Sequence, residues 1–228
     1  MQLHHLHDWP TTENEALELQ NSLVLRVDVS SSLGSFDFVA GCDLAYHLTD
    51  PISYAAVVVV RSSDWSVIET RTVTHEVKFP YIPGLLSFRE IPALLAAFAD
   101  LRQTPDVVML DGQGVAHPRR FGLACHLGLW LNVPCLGCAK SWLIGDHDEP
   151  GPHAGDTAPL TIGNEAVGVV MRSAAKAKPV YVSPGHLLDI ESATRVVRAS
   201  LSGYRHPTPT REAHMAANRL REESRASG

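Results

Sequence analysis

The sequence predicts an α/β fold in which helices flank a mixed β-sheet. Three strand-like runs, at residues 36–46, 54–61 and 66–77, follow one another as in an antiparallel meander. Helical and strand-like segments then alternate, which is the pattern of parallel strands joined by helices. Two of the later strands, at residues 106–110 and 133–138, are almost wholly apolar, so we expect them to be buried on both faces.

The helices are predicted from apolar periodicity and from capping residues. The first covers residues 11–28, with Thr12 as its N-cap, and the second carries apolar residues at helical spacing from Ile91 to Leu101. Pro at the first helical position marks the start of the last helix. The further helices are predicted at residues 122–131, from the Asp189 N-cap to a closing Gly203, and from Thr208 and Pro209 onwards.

The rest of the chain is assigned to strands, turns and one long loop. Residues 164–172 and 179–182 are predicted to form a strand pair, and the Pro-, Gly- and Asp-rich residues 145–159 an exposed loop. Turns are predicted at Thr49-Asp50-Pro51 and Ser62-Ser63-Asp64. This order of elements is also that of ribonuclease H-like proteins, so we expect one such domain over residues 1–228, with its core at about 36–220.

Composition excludes several classes of protein. The 228 residues are 45% hydrophobic and 19% charged, unlike a disordered, collagen-like or coiled-coil chain. The longest apolar run is far shorter than the about 20 residues of a membrane-spanning helix, and the N-terminus lacks the pattern of a signal peptide. Four cysteines are too few for a disulfide scaffold. We therefore expect a cytoplasmic protein, a monomer without a membrane partner.

The net charge of −6 conceals a gradient along the chain. Residues 1–50 hold one arginine against eight carboxylates, whereas residues 151–228 hold ten lysines and arginines against seven carboxylates. A basic C-terminal third is compatible with a surface that faces phosphates. Solvated helix faces explain it equally simply, and charge alone favours that explanation.

Two aspartates occupy unusual positions on predicted strands. Asp43 interrupts an apolar strand, where a carboxylate is costly unless it is paired or binds a metal ion. Asp111 ends the apolar run 107–110 and opens a Gly-rich loop, at the strand end where α/β sheets place their chemistry. The simpler alternatives are an exposed edge strand for Asp43 and an ordinary Asp-Gly turn for Asp111.

A third carboxylate, Glu90, lies one turn before Leu94, beside the apolar stripe of its helix. The alternative is a capping box with Ser87, but that register would bring Pro92 into the helix, where a backbone hydrogen bond is lost. Three carboxylates on two strands and one helix can bind a hard cation, most naturally Mg²⁺. Such an ion activates water in phosphodiester hydrolysis.

Other polar residues carry weaker signals. His214 lies next to the apolar stripe of the last helix and Lys140 follows the strand that ends at Cys138, and spacing assigns neither a role. Cys135 and Cys138 form a CxxC motif, but residues three apart on a strand point to opposite faces. We therefore expect two buried strand cysteines and no zinc site.

Nine short motifs, in the right order over about residues 36–220, resemble those of the endonuclease V family. They are Gly41–Tyr46, Pro80–Gly84, Phe88–Glu90, Asp111–Arg119, Phe121–Ala124, Gly137–Ser141, Tyr181–His186, Gly203–Arg205 and Pro209–His214. The resemblance implies a ribonuclease H-like fold and a Mg²⁺-dependent nuclease, with Mn²⁺ as a possible substitute. Its substrate would be DNA containing deoxyinosine, cut at the second phosphodiester bond 3′ of the lesion to leave 3′-hydroxyl and 5′-phosphate ends.

The resemblance also implies roles for individual residues. Asp43, Glu90 and Asp111 would bind the metal ion, His214 would be the fourth catalytic residue, and Lys140 would hold a phosphate. The strand-separating wedge would be Pro80, Tyr81, Ile82 and Pro83, for which the alternative is an ordinary loop around a buried tyrosine. The pocket for the flipped hypoxanthine would be lined by Gly84, Leu86, Gly112, Gly114 and His117.

Two departures and two alternative functions stay open. Leu187 stands where the family often has a basic residue, and the resemblance assigns no role to the acidic, Pro- and Gly-rich segment 146–156. Some relatives cut RNA that contains inosine, and one sequence does not decide between DNA and RNA. A catalytically silent nucleic-acid-binding module is disfavoured, because all three carboxylates are present.

Overall fold

The computed structural model describes residues 1, 3–47 and 51–226. They form an eight-stranded mixed sheet in the order β3-β2-β1-β4-β5-β8-β7-β6. The strands are β1 Phe38–Tyr46, β2 Ile52–Arg61, β3 Val67–Glu76, β4 Val107–Leu110, β5 Cys135–Ala139, β6 Thr157–Ile162, β7 Glu165–Met171 and β8 Val180–Pro184. The helices are α1 Glu13–Leu23, α2 Leu86–Ala99, α3 Leu123–Leu131, α4 Ile190–Ala199 and α5 Thr208–Ala226.

The predicted α/β architecture with a mixed sheet is confirmed. Strands β1, β2 and β3 form the antiparallel meander, and β1, β4 and β5 run parallel in the middle of the sheet. Both predicted buried strands, β4 and β5, are buried at every position. None of the helices in residues 1, 3–47 and 51–226 combines the length and the apolar character needed to cross a bilayer.

The sheet separates two apolar layers. Helices α2 and α3 pack on one face, against residues such as Ala40, Cys42 and Leu110, and helices α4 and α5 pack on the other, against Val39 and Met109. Alternation along the strands decides which side chain joins which layer. Cys135 therefore contributes to the first layer and Cys138 to the second, as expected from their spacing, and both are buried.

One strand was missed by the sequence analysis. The segment 145–159 was expected to be loop, but β6 begins at Thr157 and pairs with β7. Proline favours a loop at position 159, but β6 is the last strand of the sheet, where a residue without an N–H group is tolerated. The alternating burial of Ala158 and Leu160 is the strand signal that the proline obscured.

Helices α1 and α4 begin as predicted but end earlier than predicted. Thr12 caps α1 as predicted, in a capping box with Glu15, but the α-helix ends at Leu23 and a short 3₁₀ turn follows it. Asp189 caps α4 as predicted, yet the helix ends at Ala199, because Ser200 hydrogen-bonds its last carbonyls before Gly203 is reached. The predicted turn at Ser62-Ser63-Asp64 is present, whereas Thr49 and Asp50 of the other turn lie outside the described residues.

The predicted capping alternative for Glu90 is wrong. Helix α2 starts at Leu86 with Leu85 as its N-cap, so Ser87 lies inside the first turn and its hydroxyl contacts His126. Pro92 lies in the helix interior, where its missing N–H leaves the carbonyl one turn earlier without its helical donor. The Glu90 side chain is buried and takes no part in capping the helix.

Candidate active site

The two aspartates lie at matching positions of neighbouring parallel strands, Asp43 within β1 and Asp111 directly after β4. Cys42 of β1 lies beside Leu110 of β4 in the strand register, and the next residues are Asp43 and Asp111. The Asp111 amide donates to the Cys42 carbonyl at 3.2 Å, which extends the pairing by one step. Because neighbouring strands lie about 4.8 Å apart, both carboxylates start from adjacent points on the same face. The edge-strand alternative for Asp43 is wrong, since β1 has a partner on each side.

Helix α5 packs closely over this face and brings a histidine to it. A Cβ atom on Gly41 would lie 2.0 Å from the carbonyl oxygen of Pro209, so only glycine allows the helix to approach so near. One turn further along α5, the Nδ1 atom of His214 lies 2.6 Å from Oδ2 of Asp43. This hydrogen bond raises the pKa of His214, against the effect of burial. The contact therefore favours a protonated imidazole beside the carboxylate.

Glu90 lies on helix α2, which packs on the other face of the sheet, and approaches the same ends of strands β1 and β4. The Tyr46 hydroxyl donates a hydrogen bond to its Oε1 at 3.1 Å. Burial raises the pKa of Glu90 to about 8; the Tyr46 hydrogen bond acts to lower it, and the negative charges of Asp43 and Asp111 raise it further. The three carboxylates are thus close enough to interact electrostatically, although they come from both faces of the sheet.

Lys140 and His206 complete the charged surroundings. The Nζ atom of Lys140 forms an ion pair with Oδ2 of Asp111. Burial and the Asp43 charge raise the pKa of Asp111, whereas Lys140 opposes that rise. The ring of His206 packs 5.6 Å from that of His214, and burial, Lys140 and His214 lower its pKa to about 4. His206 is therefore neutral at physiological pH.

The side chains fit a divalent cation by their chemistry. In the part of the chain that the structure describes, no three His, Cys, Asp or Glu side chains converge in the geometry of a finished metal site. The donors are nevertheless three carboxylates, which are the oxygen ligands that Mg²⁺ prefers. Burial raises the pKa of Glu90, and the charges of Asp43 and Asp111 raise it further; a dication would offset both effects.

A small cavity of about 140 Å³ lies between the start of helix α2, the loop after Asp111 and the start of helix α3. It is smaller than the roughly 300–1,000 Å³ of most ligand pockets, so it suits a single ring system. Apolar side chains dominate its wall, and the lining residues are Tyr81, Pro83, Gly84, Leu86, Ser87, Gln113, His117, Phe121, Gly122, Leu123 and Leu143.

Of the five residues predicted for a base pocket, the structure brings three to this cavity. Gly84, Leu86 and His117 line it, whereas Gly112 and Gly114 lie outside the lining formed by the described residues. Gly114 packs against β8, where a Cβ atom would come within 2.0 Å of the Pro184 carbonyl oxygen. Gly112 and Gly114 thus have a packing reason for being glycine: they let the loop after Asp111 run close to the sheet.

The segment predicted as a wedge projects from the mouth of the cavity. Ile82 packs with Phe79 and Phe88 in a small apolar cluster, which anchors the loop at its base. Pro80 and Pro83 are exposed, and Tyr81 is 67% exposed. The alternative of a loop around a buried tyrosine is therefore wrong: the aromatic ring faces solvent.

Two residues that the sequence did not single out hold the end of this loop at Gly84. The carbonyl oxygen of Gly84 accepts hydrogen bonds from Arg119 at 2.8 Å and from Gln20 at 3.1 Å. Gly84 has a φ of +81°, which favours glycine. Gln20 is the one strongly polar residue among the buried positions of α1, and that signal in the sequence was available.

His117 connects the loop after Asp111 to the same glycine. Its Nδ1 accepts a hydrogen bond from the Arg119 amide at 3.2 Å, and its ring also bonds to the Gly84 backbone. Burial and the nearby Arg119 lower its pKa to about 4, so His117 is neutral. Tyr46 and Asn218 are further unpredicted neighbours of the site, through their contacts with Glu90 and His214.

Comparisons with family models, curated sequences and solved structures all find the same family. The family model of Endonuclease V matches residues 18–215. The Endonuclease V of Dehalococcoides mccartyi is 43% identical over 215 residues, which cover 94% of this chain and 96% of that protein. The crystal structure of Endonuclease V from Streptomyces avermitilis superposes with a TM-score of 0.90 at 40% identity, over 95% of this chain and 96% of the other.

A more distant relative was solved with nucleic acid. Ciona intestinalis Endonuclease V, in complex with a 24-mer DNA containing an inosine followed by a ribo-adenosine, has a TM-score of 0.82 at 25% identity and covers 92% of this chain and 98% of its own. These similarities extend over nearly the whole chain and agree with the ribonuclease H-like arrangement of its sheet. The chain therefore belongs to the Endonuclease V family of nucleases.

Proposed function

We propose that the protein is a Mg²⁺-dependent DNA repair endonuclease that recognises deoxyinosine and hydrolyses the second phosphodiester bond 3′ of it. The products would carry 3′-hydroxyl and 5′-phosphate ends. One observation carries the proposal: the loop that starts at Asp111 supplies Gln113 and His117 to the wall of the cavity. A base held in the cavity therefore keeps its neighbouring phosphates within reach of the carboxylates.

The residues of the chain divide the task. Asp43, Glu90 and Asp111 would hold Mg²⁺, and Mn²⁺ could replace it because it takes the same oxygen ligands. The bound ion would supply Lewis-acid activation of water and stabilisation of the leaving oxygen. His214, with its raised pKa, keeps a proton beside Asp43. Lys140, at the strand end beyond Asp111, would bind a product-side phosphate.

Recognition of the lesion would use the exposed loop and the cavity together. Extruding a base leaves a gap in the stack, and an aromatic group that enters it stabilises the bent duplex. Tyr81 is exposed, follows directly on Pro80, and lies at the cavity mouth. Flipping costs least where the base is mispaired, which supplies part of the selectivity for hypoxanthine.

Relatives and composition support this choice. The Ciona relative was crystallised on DNA that contains inosine. All four cysteines, which lie in the described part of the chain, are buried free thiols, as suits a reducing compartment. We accordingly place the protein in the cytoplasm, acting as a monomer.

A cleavage assay with matched substrates tests the proposal. Duplexes that differ only by hypoxanthine, uracil, an abasic site or a normal base at one position are incubated with Mg²⁺, alongside an RNA strand that contains inosine. We expect cleavage of the hypoxanthine duplex at the second bond 3′ of the lesion, and its loss with EDTA. Cleavage confined to the RNA strand would identify an inosine-specific endoribonuclease instead, and equal cutting of all duplexes would overturn lesion recognition.

A further inference from the structure

A buried chain of hydrogen bonds runs beneath the cavity, from the N-terminal segment to helix α2. The Nε2 atoms of His7 and His126 lie 2.7 Å apart, and Nδ1 of His126 lies 2.9 Å from the Ser87 hydroxyl. His126 is fully buried on α3, and Ser87 lines the cavity. His7 precedes residues 18–215, the part matched by the family model. The chain of contacts thus links a segment outside the family match to the cavity wall.

The contact between His7 and the Asp8 carbonyl, at the N-terminal end of this chain of hydrogen bonds, determines which atom donates in each bond. The Nδ1 atom of His7 lies 2.8 Å from the carbonyl oxygen of Asp8, which can only accept, so Nδ1 carries the proton. Burial lowers the pKa of both His7 and His126, and each ring therefore holds a single proton. Nε2 of His7 is consequently an acceptor, and Nε2 of His126 must donate to it.

The same logic continues to the cavity. Since His126 has its proton on Nε2, its Nδ1 is an acceptor and receives the hydroxyl proton of Ser87. Among the described residues, the Ser87 hydroxyl forms no other hydrogen bond. A serine hydroxyl ordinarily rotates to donate or to accept. Here its only proton points away from the cavity, and only lone pairs remain for a ligand.

We propose that Ser87 is a specificity-determining residue that accepts a hydrogen bond from the N1–H group of a 6-oxopurine in the cavity. The proposal rests on the proposed function and extends it to the substrate's chemistry. Hypoxanthine carries a proton on N1, whereas adenine, from which it arises by deamination, has a lone pair there. Two opposed lone pairs in a buried site repel, so the locked serine rejects adenine and accepts its deamination product.

His126 and His7 act through Ser87 and are positioning residues. Without the acceptor at His7, the His126 proton could move to Nδ1, and the serine hydroxyl would be free to donate towards the base. The cavity would then tolerate a lone pair at N1. The structure thus gives the N-terminal segment a function in base selection.

The role of Ser87 is tested by removing its hydroxyl from the protein and, separately, the N1–H group from the substrate. Wild type and Ser87→Ala are compared on duplexes with hypoxanthine or with unsubstituted purine, whose N1 carries a lone pair. Affinity is measured in EDTA and single-turnover cleavage with Mg²⁺, and the selectivity ratio is calculated for each. We expect the ratio to fall about tenfold in Ser87→Ala, because an acceptor and a repulsion are removed together. A ratio that stays within about twofold would overturn the proposal.

His7 variants test the lock without altering the cavity wall. His7→Ala removes the acceptor for His126 and should lower the selectivity ratio towards that of Ser87→Ala, whereas His7→Gln offers an amide oxygen and should retain it. Melting curves accompany both variants. An unchanged ratio in a folded His7→Ala protein would overturn the lock. Wild type that shows no preference for hypoxanthine over adenine would instead refute the proposed function, a distinct outcome.

Discussion

The carboxylate centre and the cavity mouth share helix α2 and the loop after Asp111 but are built on opposite principles. At the centre, every predicted ligand already has a protein partner: Asp43 has His214, Glu90 has Tyr46 and Asp111 has Lys140. At the mouth, Tyr81 and Leu143 are exposed. Buried charges require partners, whereas exposed apolar groups acquire theirs on binding. Under the proposed function the first region would carry out the chemistry and the second would recognise the lesion, so they should respond differently to mutation.

The largest effect is expected at the centre. Asp43→Ala or Asp111→Ala should reduce single-turnover cleavage by about 10³-fold, since removing one charge-stabilising group costs about 10²–10³ in rate and the cation would lose a ligand. Affinity for the lesion duplex should survive, because it comes from phosphate and cavity contacts. EDTA should act on wild type in the same way.

The exposed carboxylate Glu191 provides the matched control for these variants. Glu191→Ala should cleave at the wild-type rate. The distinction between a region for chemistry and a region for recognition would fail under either of two results. One is cleavage by wild type without any divalent ion, and the other is a parallel loss of binding and cleavage in Asp43→Ala.

A smaller effect, on recognition, is expected at the mouth. Tyr81→Ala should lose about 1–3 kcal/mol of stacking, the usual contribution of an aromatic ring under a base. The loss should be greater on paired duplex, where strands must be separated, than on single-stranded DNA with hypoxanthine. Because Tyr81 is 67% exposed, the melting temperature should not change.

Leu25→Ala serves as the control, because it removes a side chain that is 87% exposed in another element. It should leave both substrates unaffected. Equal losses on paired and single-stranded DNA in Tyr81→Ala, together with a lower melting temperature, would reduce the wedge to a structural loop.

Lys140 is joined to the carboxylate centre by its ion pair with Asp111 and sharpens the comparison. Lys140→Ala should lower the slope of log affinity against log salt by about 0.9, as expected for the loss of one phosphate contact. The exposed Lys176→Ala should keep the wild-type slope. An unchanged slope in Lys140→Ala would assign Lys140 only to the ion pair with Asp111.

The smallest effect concerns stability and follows from Glu90. Its pKa is about 8 in the folded chain against an ordinary 4.5, so between these values the unfolded state releases the proton first and stability falls as pH rises. In EDTA, the melting temperature of Glu90→Gln should therefore exceed that of wild type by a margin that grows from pH 5.5 to 8.5. Each kcal/mol of difference in the free energy of unfolding should appear as about 2–4 °C. Mg²⁺ should reduce this difference in melting temperature, because it would stabilise the wild-type protein.

Glu191→Gln is the appropriate control, since that side chain is exposed. It should follow wild type at every pH. A constant offset between Glu90→Gln and wild type across the pH range would mean that Glu90 is not held in the protonated form by burial and its neighbours.

Local signals in the sequence were enough for most of the strands and for the unusual carboxylates. Apolar runs predicted β4 and β5, and the position of Asp111 after such a run placed it at a strand end. Capping residues predicted the starts of α1 and α4 from neighbours three residues away. These features depend on side chains that are close in sequence, so periodicity and capping chemistry can reveal them.

The contacts that define the site were decided by tertiary structure. Asp43 and His214 are 171 residues apart, and only the packing of α5 on Gly41 brings them together. Pro159 fits a strand only because that strand lies at the sheet edge, and Gly114 is required by β8 rather than by the cavity. The sequence alone determined which groups the protein has and on which elements they lie. Their partners depend on long-range packing, which no local pattern records.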